Sequence, residues 1–481
     1  MPEGEIDLLA IRRGTVTAPA GCGKTHLIAQ ALSRHDDSKP ILVLTHTNAG
    51  VTALRGRLDR AGAPATAYRL STIDGWAMRL IATFPARSAH DPTLLKLANP
   101  KNDYLAIRVA AAQLLKEGHI TDILAASYAG LIVDEYQDCT NRQHVLLAYA
   151  AQTLRTCTLG DPMQAIFGFG GDKLPKWEKV CEFFPVVGAL TIPWRWRNAD
   201  AEALGRWLLD VRENLMRGAP VDLRTAPPSV TWVQLDGTAE DHRRRLLAAR
   251  VRPKSADGHV LIIGDSTKPD SHRQFASQTP GAVTIEAVDL KDLVLFGRGL
   301  NIAAPEALEQ IANFAQNVMT NVGSSDLLRR VRSLINGTAR KPATDVENAA
   351  LAFAHAPSYM QAVDLLVEIG KEAGVRAHRP AVLRACIRAL RMCDAANGPT
   401  FHDATIRMRE ENRLIGRSLP KRAVGSTLLL KGLEAEVAVV LNADGLDARN
   451  LYVAMTRGST ALIVCSRSPV LKPAPEATGH R

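Results

Sequence analysis

Paired cysteines, of the kind that hold small secreted domains or metal clusters together, are missing from this chain. The seven cysteines are an odd number, and no two of them have Cys-x-x-Cys spacing. That spacing is typical of zinc ribbons and iron–sulfur clusters, and an even set of cysteines is typical of a disulfide framework. The sequence therefore argues against a disulfide scaffold and a thiolate metal site, and it favours a reducing compartment.

Long apolar segments are missing as well. The longest runs, such as residues 435–441, are far shorter than the ~20 residues that a membrane-spanning helix needs. The first residues, Met-Pro-Glu-Gly-Glu, are acidic and contain no apolar core, so they do not resemble a secretory signal peptide. Internal repeats are not seen either. We therefore expect a cytoplasmic protein that has no membrane partner.

The chain is long and basic. Its 481 residues, 46% of them hydrophobic, are enough to build roughly two to four globular domains. The formal net charge of +10 most simply indicates a polyanionic partner such as nucleic acid. A solvated surface with an excess of arginine is the alternative interpretation.

Short apolar strands alternate with helical patterns in the first part of the chain, which predicts an α/β fold with a parallel sheet covered on both faces. Strands are expected at residues 14–16, 41–45, 131–133 and 156–159. Helical patterns dominate residues 301–422, and strand patterns return at residues 437–441 and 461–465. The predicted organisation is a first domain at 1–190 with a helical insertion at about 82–129, a second domain at 191–300 and 423–470, a helical insertion at 301–422, and a flexible tail at 471–481.

A glycine-rich segment, Ala18-Pro19-Ala20-Gly21-Cys22-Gly23-Lys24-Thr25, lies between the first strand and the first helical pattern. Glycines at 21 and 23 let the backbone N–H groups wrap around a phosphate at the beginning of a helix. Lys24 is then expected to reach the β- and γ-phosphates of a nucleotide, and the Thr25 hydroxyl to bind Mg²⁺. Ala18 stands where the usual pattern begins with glycine.

Two adjacent carboxylates follow a buried apolar strand in the segment Leu131-Ile132-Val133-Asp134-Glu135. The carboxyl edge of a parallel sheet is where ligands bind in such folds. Asp134 is expected to hold Mg²⁺ through water, and Glu135 to orient the water that attacks the γ-phosphate. Two surface carboxylates at a strand end are the alternative for this pair taken by itself.

Further motifs accompany the glycine-rich segment and the two carboxylates, in a fixed order along the chain. They are Leu42-Val43-Leu44-Thr45-His46-Thr47-Asn48-Ala49, Leu159-Gly160-Asp161-Pro162-Met163-Gln164, Trp194-Arg195, Lys431-Gly432-Leu433-Glu434, and Tyr452-Val453-Ala454-Met455-Thr456-Arg457. Together with the phosphate loop and the carboxylates, this set closely resembles the motifs of UvrD/Rep/PcrA-like superfamily 1 helicases. The matching motifs lie between residues 18 and 458, which is most of the chain.

The resemblance implies two RecA-like domains with ATP bound in the cleft between them. It assigns Gln164 to sensing the γ-phosphate. It makes Arg195 and Arg457 arginine fingers that reach the γ-phosphate from the second domain, where positive charge assists phosphoryl transfer. It also places Glu434 beside the ribose and phosphates of the nucleotide.

Base recognition is implied to be less selective than in the family. Relatives sandwich adenine between a basic and an aromatic residue, and His26 and Trp194 occupy the matching positions. Relatives also read the adenine edge with a glutamine upstream of the phosphate loop, but no glutamine occurs between Met1 and Lys24. Stacking tolerates different bases, whereas hydrogen bonding selects among them. We therefore expect GTP to be accepted.

The resemblance also predicts contacts with single-stranded DNA. Phe167 and Phe169 match aromatic residues that stack on bases in relatives, and His46 stands where the family usually has phenylalanine. Trp76 lies in the segment Thr72-Ile73-Asp74-Gly75-Trp76, which matches a further strand-contacting segment. The alternative interpretation of Phe167, Phe169 and Trp76 is that they are core aromatics.

We interpret the chain as an ATP-dependent DNA translocase and helicase, with the 3′→5′ direction taken from the resemblance. Its small insertions and its end soon after Arg457 suggest an accessory motor beside a separately encoded nuclease. The helicase-like subunit of the Gabija antiphage system, which works beside an OLD-type nuclease, is similar in this respect. A stand-alone repair helicase and a regulatory ATPase that senses nucleotides or DNA ends are the alternatives.

The spacing of Arg384, Arg388 and Arg391 predicts that they share one face of a helix. The alternatives for this face are docking of a partner, binding of duplex DNA and exposure to solvent.

Overall fold

Two parallel β-sheets, each with six strands among the described residues, organise the fold. The computed structural model describes residues 6–167, 172–395, 397–414 and 419–475. The predicted fold class, α/β with two parallel sheets and helical insertions, is confirmed. The strands are β1 Arg13–Thr17, β2 Ile41–Thr45, β3 Tyr68–Thr72, β4 Gly130–Val133, β5 Thr156–Gly160, β6 Val186–Ala189, β7 Val221–Asp222, β8 Val230–Gln234, β9 Val260–Gly264, β10 Ala282–Thr284, β11 Met319–Thr320, β12 Arg376–Ala377, β13 Arg422–Ser426, β14 Ala435–Val440, β15 Gly458–Ser466 and β16 Val470–Leu471.

Helices connect most of these strands, and short 3₁₀ turns lie at residues 92–96, 136–138, 162–164, 223–225 and 443–445. The α-helices are α1 Lys24–Ser33, α2 Asn48–Arg60, α3 Ile73–Thr83, α4 Pro85–Ser88, α5 Pro100–Lys116, α6 Thr121–Ser127, α7 Asn141–Thr153, α8 Trp177–Phe183, α9 Trp194–Arg197, α10 Glu202–Met216, α11 Glu240–Ala249, α12 Pro269–Gln278, α13 Lys291–Gly299, α14 Ala307–Val318, α15 Ser324–Ile335, α16 Asp345–His355, α17 Tyr359–Lys371, α18 Pro380–Cys393, α19 Phe401–Leu414, α20 Thr427–Leu430 and α21 Ala448–Met455.

The first sheet has the strand order β3-β2-β4-β5-β1-β6. Its central strands are apolar on both faces because helices cover both sides, and every residue of β2 and β4 is buried. Strand β5 lies between β1, which leads into the phosphate loop, and β4, which ends at Asp134. The loops after these three parallel strands therefore leave from one edge of the sheet.

The chain divides into two compact units. Unit 1 comprises Met1–Gln234 and Asn442–Arg481, and unit 2 comprises Leu235–Leu441. Residues 191–234 and 442–470, which the sequence assigns to the second domain, lie in unit 1 together with the phosphate loop, Arg195 and Arg457. The domain boundaries expected from the sequence stay a prediction.

The remaining parallel strands are described within each unit. In unit 2, β10, β13, β9 and β14 are neighbours in that order, and in unit 1, β15 pairs with β8. Two short antiparallel ribbons, β11–β12 and β16–β7, complete the described strands. Because Leu471 pairs with Val221 in the second ribbon, the predicted flexible tail does not begin at residue 471.

Helices α14 to α19 fill most of the interval between β10 and β13, as the helical periodicity of residues 301–422 predicts. They enclose a hydrophobic core of their own, which includes Phe314, Leu365 and Leu390. The smaller insertion predicted at about 82–129 is also helical and contains α4, α5 and α6. Among the described residues, no helix combines the length and the apolar character needed to cross a membrane.

Candidate functional site

The phosphate loop lies at the carboxyl edge of the first sheet, between β1 and α1. Its path depends on two glycines with positive φ, Gly21 at 71° and Gly23 at 89°. Ala18 N–H donates to the Gly160 carbonyl at 2.9 Å, which ties the beginning of the loop to β5. Helix α1 begins at Lys24, so its first N–H groups and its dipole face the loop.

An aromatic residue packs directly against this loop. A Cβ atom added at Gly21 would lie 2.5 Å from Cζ3 of Trp196, which is 1% exposed. The Arg195 N–H donates to the Gly21 carbonyl at 3.0 Å. A side chain at position 21 would thus collide with a buried ring, so the loop needs glycine there for space as well as for its backbone angle.

Tyr452 supports the loop from the other end of the sequence. The buried Tyr452 hydroxyl accepts a hydrogen bond from the Ala20 N–H at 3.1 Å. Burial raises the pKa of Tyr452 well above its ordinary value, so the hydroxyl keeps its proton. Tyr452 was noticed in the sequence only as part of a motif, and nothing in its local pattern shows that it touches a loop more than 400 residues away.

Lys24 contacts both carboxylates that follow β4. Its Nζ atom lies 3.2 Å from Asp134 Oδ1 and donates to Glu135 Oε1. Burial by itself would lower the pKa of Lys24, but the two carboxylates outweigh burial and raise it above the ordinary value. The structure therefore brings together three of the residues that the sequence predicts for phosphate and Mg²⁺ chemistry.

Burial also raises the pKa of the Asp134 carboxyl, although Lys24 acts in the opposite direction. Two neighbouring carboxylates with one ammonium group are short of positive charge, and a hard divalent cation would supply it. The Thr25 hydroxyl is an additional oxygen at the end of the loop, and it accepts from Arg57 Nη1 at 3.2 Å. The oxygen groups present thus fit Mg²⁺.

Glu135 has a strained backbone. Its φ of 55° lies in the left-handed region that non-glycine residues seldom adopt. Its N–H donates to Asp134 Oδ1 at 2.9 Å, and its Oε2 atom accepts from Gln137 Nε2. Such strain recurs at functional sites because the surrounding contacts hold one side chain in place.

A chain of hydrogen bonds continues from Glu135 to Gln164. Gln137 Oε1 accepts from the Asp161 N–H at 3.1 Å, and Gln164 Nε2 donates to Asp161 Oδ2 at 3.2 Å. Asp161 is fully buried and Gln164 is 8% exposed. The predicted γ-phosphate sensor is thus connected to the predicted water-orienting carboxylate through Gln137 and Asp161.

Arg212 completes this network, and sequence reasoning missed it. Its Nε and Nη2 atoms donate to Asp161 Oδ1 at 3.0 and 2.9 Å, and Arg212 is 5% exposed. The motif that contains Asp161 does not indicate a role for this residue, and Arg212 lies in none of the motifs. An arginine within the amphipathic pattern of α10 gives no signal that it is buried against a carboxylate on another loop.

Both predicted arginine fingers lie in the same unit as the phosphate loop. Arg195 Nη1 donates to the Thr456 carbonyl at 2.6 Å, next to Arg457 in the chain. Arg457 is 3% exposed, and its Nε donates to the Val453 carbonyl at 2.8 Å. The two segments are therefore brought together, although they are far apart in sequence.

The residues predicted to sandwich the base lie on the loop and beside it. Trp194 is 40% exposed, and a Cβ atom added at Gly23 would lie 2.9 Å from its Cδ1 atom. His26 is exposed in the first turn of α1. Cys22 is buried, and desolvation raises its thiol pKa to about 12, so its side chain is neutral, while its N–H donates to the Pro19 carbonyl at 3.2 Å. Glu434 is exposed and precedes β14 in unit 2.

Two of the predicted DNA-contacting side chains meet at the edge of the first sheet. His46 follows β2 and Phe167 follows the 3₁₀ turn at residues 162–164, and their ring centroids are 5.8 Å apart at an angle of 47°. Phe167 is half-buried. Phe169 lies outside the described residues.

Trp76 does not lie at this surface. It is 1% exposed and belongs to the hydrophobic core formed by α3, α5 and α7. The ring has no accessible face on which a base can stack, so the core interpretation holds for Trp76 and the predicted DNA contact is wrong. The pattern failed because helix α3 turns its apolar stripe, including Ile73 and Ala77, toward the core.

Among the comparisons with known proteins, one family model matches a segment that contains the loop. A family model described as an AAA domain matches residues 7–170, which include the phosphate loop, the carboxylates and Gln164. The comparison with curated proteins gives no match. Among solved structures, the chain is similar to an arterivirus nonstructural protein 10, a helicase in complex with DNA, at 11% identity and a TM-score of 0.28. That match covers 56% of this chain and 52% of the other.

Proposed function

We propose that the chain is an ATPase that is stimulated by single-stranded DNA and moves along it. The observation that carries the proposal is the connected set formed by Lys24, Glu135, Gln137, Asp161 and Gln164 at one sheet edge. It links the group expected to bind phosphate with the groups expected to position water and sense the γ-phosphate. The AAA domain match covers the same residues and supports nucleotide binding.

Each residue is assigned one task in hydrolysis. The N–H groups of Gly21, Cys22 and Gly23 bind phosphate oxygens, and Lys24 leaves its carboxylate partners to pair with the β- and γ-phosphates. Thr25 and Asp134 would hold Mg²⁺, and the ion would neutralise charge on the phosphates. Glu135 orients the attacking water.

Positive charge at the γ-phosphate comes from the arginines. Arg195 and Arg457 are assigned to stabilise the charge that develops on the γ-phosphate oxygens, and Gln164 reports the occupancy of that position. Glu434 is assigned to the ribose side of the nucleotide. His26 and Trp194 are assigned to stack on the base.

The direct test is the rate of phosphate release from ATP by the full chain, with and without single-stranded DNA. We expect Mg²⁺-dependent hydrolysis that increases when DNA is added, and no stimulation in Lys24→Ala. Exposed Lys179, which pairs with Glu182 on α8, offers a matched control in Lys179→Ala. A protein that folds but hydrolyses ATP at the same rate before and after Lys24→Ala would disprove the assignment.

We expect GTP to support hydrolysis at a rate within a thousandfold of the ATP rate, an order-of-magnitude limit for hydrogen-bond discrimination. The reason is that stacking by His26 and Trp194 accepts either purine, while no upstream glutamine reads the adenine edge. Steady-state kcat/KM values for the two nucleotides measure this ratio. A larger preference for ATP would mean that another group reads the base.

Phe167→Ala is expected to weaken binding of single-stranded DNA by about 1–3 kcal/mol, the usual contribution of one stacked base. The half-buried ring of Phe167 lies beside His46 at the edge of the first sheet, shortly after Gln164 in the chain. Fluorescence anisotropy with a labelled strand at fixed salt measures the change. Phe183→Ala, at a half-buried phenylalanine elsewhere in unit 1, is the control. Unchanged affinity together with a lowered melting temperature would make Phe167 a core residue.

The finer role follows from the family resemblance. We infer 3′→5′ translocation and unwinding, with a nuclease on a separate chain in an antiphage complex as the proposed setting. Displacement of streptavidin from the two ends of a biotinylated strand tests direction, and displacement of a labelled strand tests unwinding. Binding without either displacement would favour the regulatory sensor, and full unwinding by a lone chain would favour the repair helicase.

Exposed arginines on α18 supply the proposed docking face for the partner. Arg384, Arg388 and Arg391 are all exposed, and Arg388 pairs with Glu411 at 2.7 Å. Other arginines of the insertion have internal roles, since Arg379 is 4% exposed and paired with Glu286. Reversal of the charge at positions 384 and 391 should abolish co-purification with products of neighbouring genes and leave the ATPase rate unchanged.

A further inference from the structure

Unit 2 contains a cavity of about 740 Å³ that shares no residue with the phosphate-loop site. Residues of α12, α13 and α14 line it, together with His378 and Arg379 before α18. Its volume lies in the range of small-molecule sites, roughly 300–1,000 Å³. The size is sufficient for a ligand larger than a water cluster.

His378 lacks a partner in this cavity. The residue is 4% exposed, and its buried Nδ1 atom forms no hydrogen bond within the part of the chain that the structure describes. Burial, with help from Arg379 and Arg376, lowers the pKa of His378 to about 4. The imidazole is therefore neutral at physiological pH, with one nitrogen that donates and one that accepts. A buried polar atom without a partner is unfavourable, and a ligand that bonds to it would remove that cost.

Carboxamide side chains form part of the polar lining of the cavity, and one of them, Gln316, is held in a fixed orientation. The Ser324 N–H donates to Gln316 Oε1 at 3.1 Å. The single proton of the Ser324 hydroxyl donates to Gln316 Oε1 at 2.7 Å or to Asn313 Oδ1 at 3.0 Å. Because the Gln316 amide oxygen is engaged, its amide nitrogen is left to donate elsewhere. Gln274, Gln310 and Asn317 add further donors and acceptors.

The charges of the lining neutralise one another. Arg379 pairs with Glu286 at 2.6 Å and with Asp292 at 2.7 Å, and Arg273 pairs with Asp292 at 2.7 Å. Asp270 pairs with Arg273 at 2.6 Å. Since both guanidinium groups are already matched by carboxylates, the cavity is not suited to phosphate or another anion. It is suited to an uncharged ligand rich in hydrogen-bonding groups.

Phe296 supplies a partly exposed aromatic ring. It is half-buried and stacks on Phe314 with ring centroids 4.3 Å apart and an angle of 15°, whereas Phe314 is 7% exposed and belongs to the core of the insertion. A flat heterocycle with donors and acceptors on its edge matches this combination of an aromatic ring, amides and a neutral imidazole. Asparagine and glutamine pair with base edges, and aromatic rings stack on base faces.

We propose that this cavity binds a nucleobase, either as a free nucleoside or as an unpaired base of a strand. The ring packs beside Phe296, and its edge bonds to the amides of the lining and to His378. The ligand is recognised through its base and not through its phosphate, unlike a nucleotide at the phosphate loop. A failure of the proposed ATPase function would leave this site untouched, because none of its residues takes part in hydrolysis.

The experiment is isothermal titration calorimetry of the full chain saturated with ADP and Mg²⁺, using adenosine, guanosine, cytidine and thymidine as probes. ADP occupies the phosphate loop and removes that site from the measurement. We expect at least one nucleoside to bind, and both His378→Phe and Asn317→Ala to weaken it by about three- to tenfold, the effect of one lost hydrogen bond. Asn348→Ala, at an exposed helical asparagine of the same insertion outside the cavity, should bind as the unchanged protein does.

Competition with DNA strands distinguishes binding of a free nucleoside from binding of an unpaired base in a strand. Displacement of the nucleoside by an oligothymidylate, but not by an abasic strand of equal length, identifies an unpaired base of a strand as the ligand. Displacement by neither strand identifies a free nucleoside. If no nucleoside binds, or if Asn317→Ala and Asn348→Ala lose affinity equally, the proposal is wrong.

Stability provides an independent readout for His378. His378→Phe removes a buried polar atom without a partner, so the melting temperature should stay the same or rise while nucleoside binding weakens. A lower melting temperature with unchanged binding would make His378 a structural residue and overturn its role in the site. Should His378→Phe fail to fold, Asn317→Ala decides, since residue 317 is exposed and tolerates truncation.

Discussion

Glu135→Gln is expected to slow ATP hydrolysis by about a hundred- to ten-thousandfold, the usual contribution of a positioned general base. Glutamine keeps the size of the side chain and its ability to accept from Gln137, but it cannot take a proton from water at the γ-phosphate. The backbone strain at residue 135, with φ at 55°, should persist because it is imposed by the neighbouring strand end. The variant should therefore fold normally and fail only in turnover.

The affinity of Glu135→Gln for ATP should not fall, although its rate of hydrolysis does. Glu135 accepts a hydrogen bond from Lys24, and this contact must break when Lys24 moves to the phosphates. Loss of the negative charge at residue 135 removes that competition, so Glu135→Gln should bind ATP at least as tightly as the unchanged protein. Lys24→Ala should instead lose affinity, since it removes the phosphate contact itself.

Single-turnover hydrolysis and equilibrium binding of a fluorescent ATP analogue measure the two effects separately. Exposed Glu178 on α8 provides the matched control, because Glu178→Gln makes the same chemical change outside the site. A Glu135→Gln protein with near-normal DNA-stimulated turnover would show that another group orients the water. Weaker ATP binding in that variant would contradict the proposed competition for Lys24.

Arg212→Met is expected to lower the free energy of unfolding by about 3–5 kcal/mol, the cost of leaving a buried charge without its partner. Asp161 is fully buried, and two nitrogen atoms of Arg212 donate to one of its oxygens. Methionine fills much of the same volume, so packing is retained and the carboxylate is left uncompensated. The remaining bonds from Met163 and Gln164 do not supply a cation.

Urea denaturation followed by circular dichroism measures the change. Arg206→Met is the control on the same helix, since Arg206 is exposed and its pair with Glu202 is worth roughly 0–1 kcal/mol. The double variant Arg212→Met with Asp161→Asn should recover part of the loss, because it removes the unpaired charge. A loss below about 1 kcal/mol in Arg212→Met would show that this buried pair contributes no more than an exposed salt bridge.

The strands and most helices follow from local sequence patterns. Ile41–Thr45 was predicted to the residue because an apolar run bounded by polar residues has one stable placement, inside a sheet covered on both faces. Helix α18, Pro380–Cys393, also carries clear local signals, since proline favours the first helical turn and the apolar residues recur at helical spacing. Short-range patterns of this kind need no knowledge of the partners across the core.

The unit boundaries were not predictable in the same way. Residues 191–234 look like the start of a new α/β domain because a helix and a strand follow a break. The structure groups them with residues 442–481 and the phosphate loop, through contacts such as Arg195 with Thr456 and Trp196 with Gly458. Contacts between segments more than 250 residues apart leave no periodic trace in either segment.

By itself, the sequence determined the α/β class, the parallel sheets, the phosphate loop and the carboxylates after β4, because each rests on residues that are neighbours in the chain. The tertiary structure alone decided that Arg212 neutralises Asp161, that Tyr452 holds the loop at Ala20, and that Trp76 is core. It also decided that the buried Nδ1 atom of His378, a residue that lines a cavity, has no hydrogen-bond partner among the residues that the structure describes. The physical reason is that burial and charge pairing depend on which side chains meet across the fold, and the spacing of residues along one segment does not contain that information.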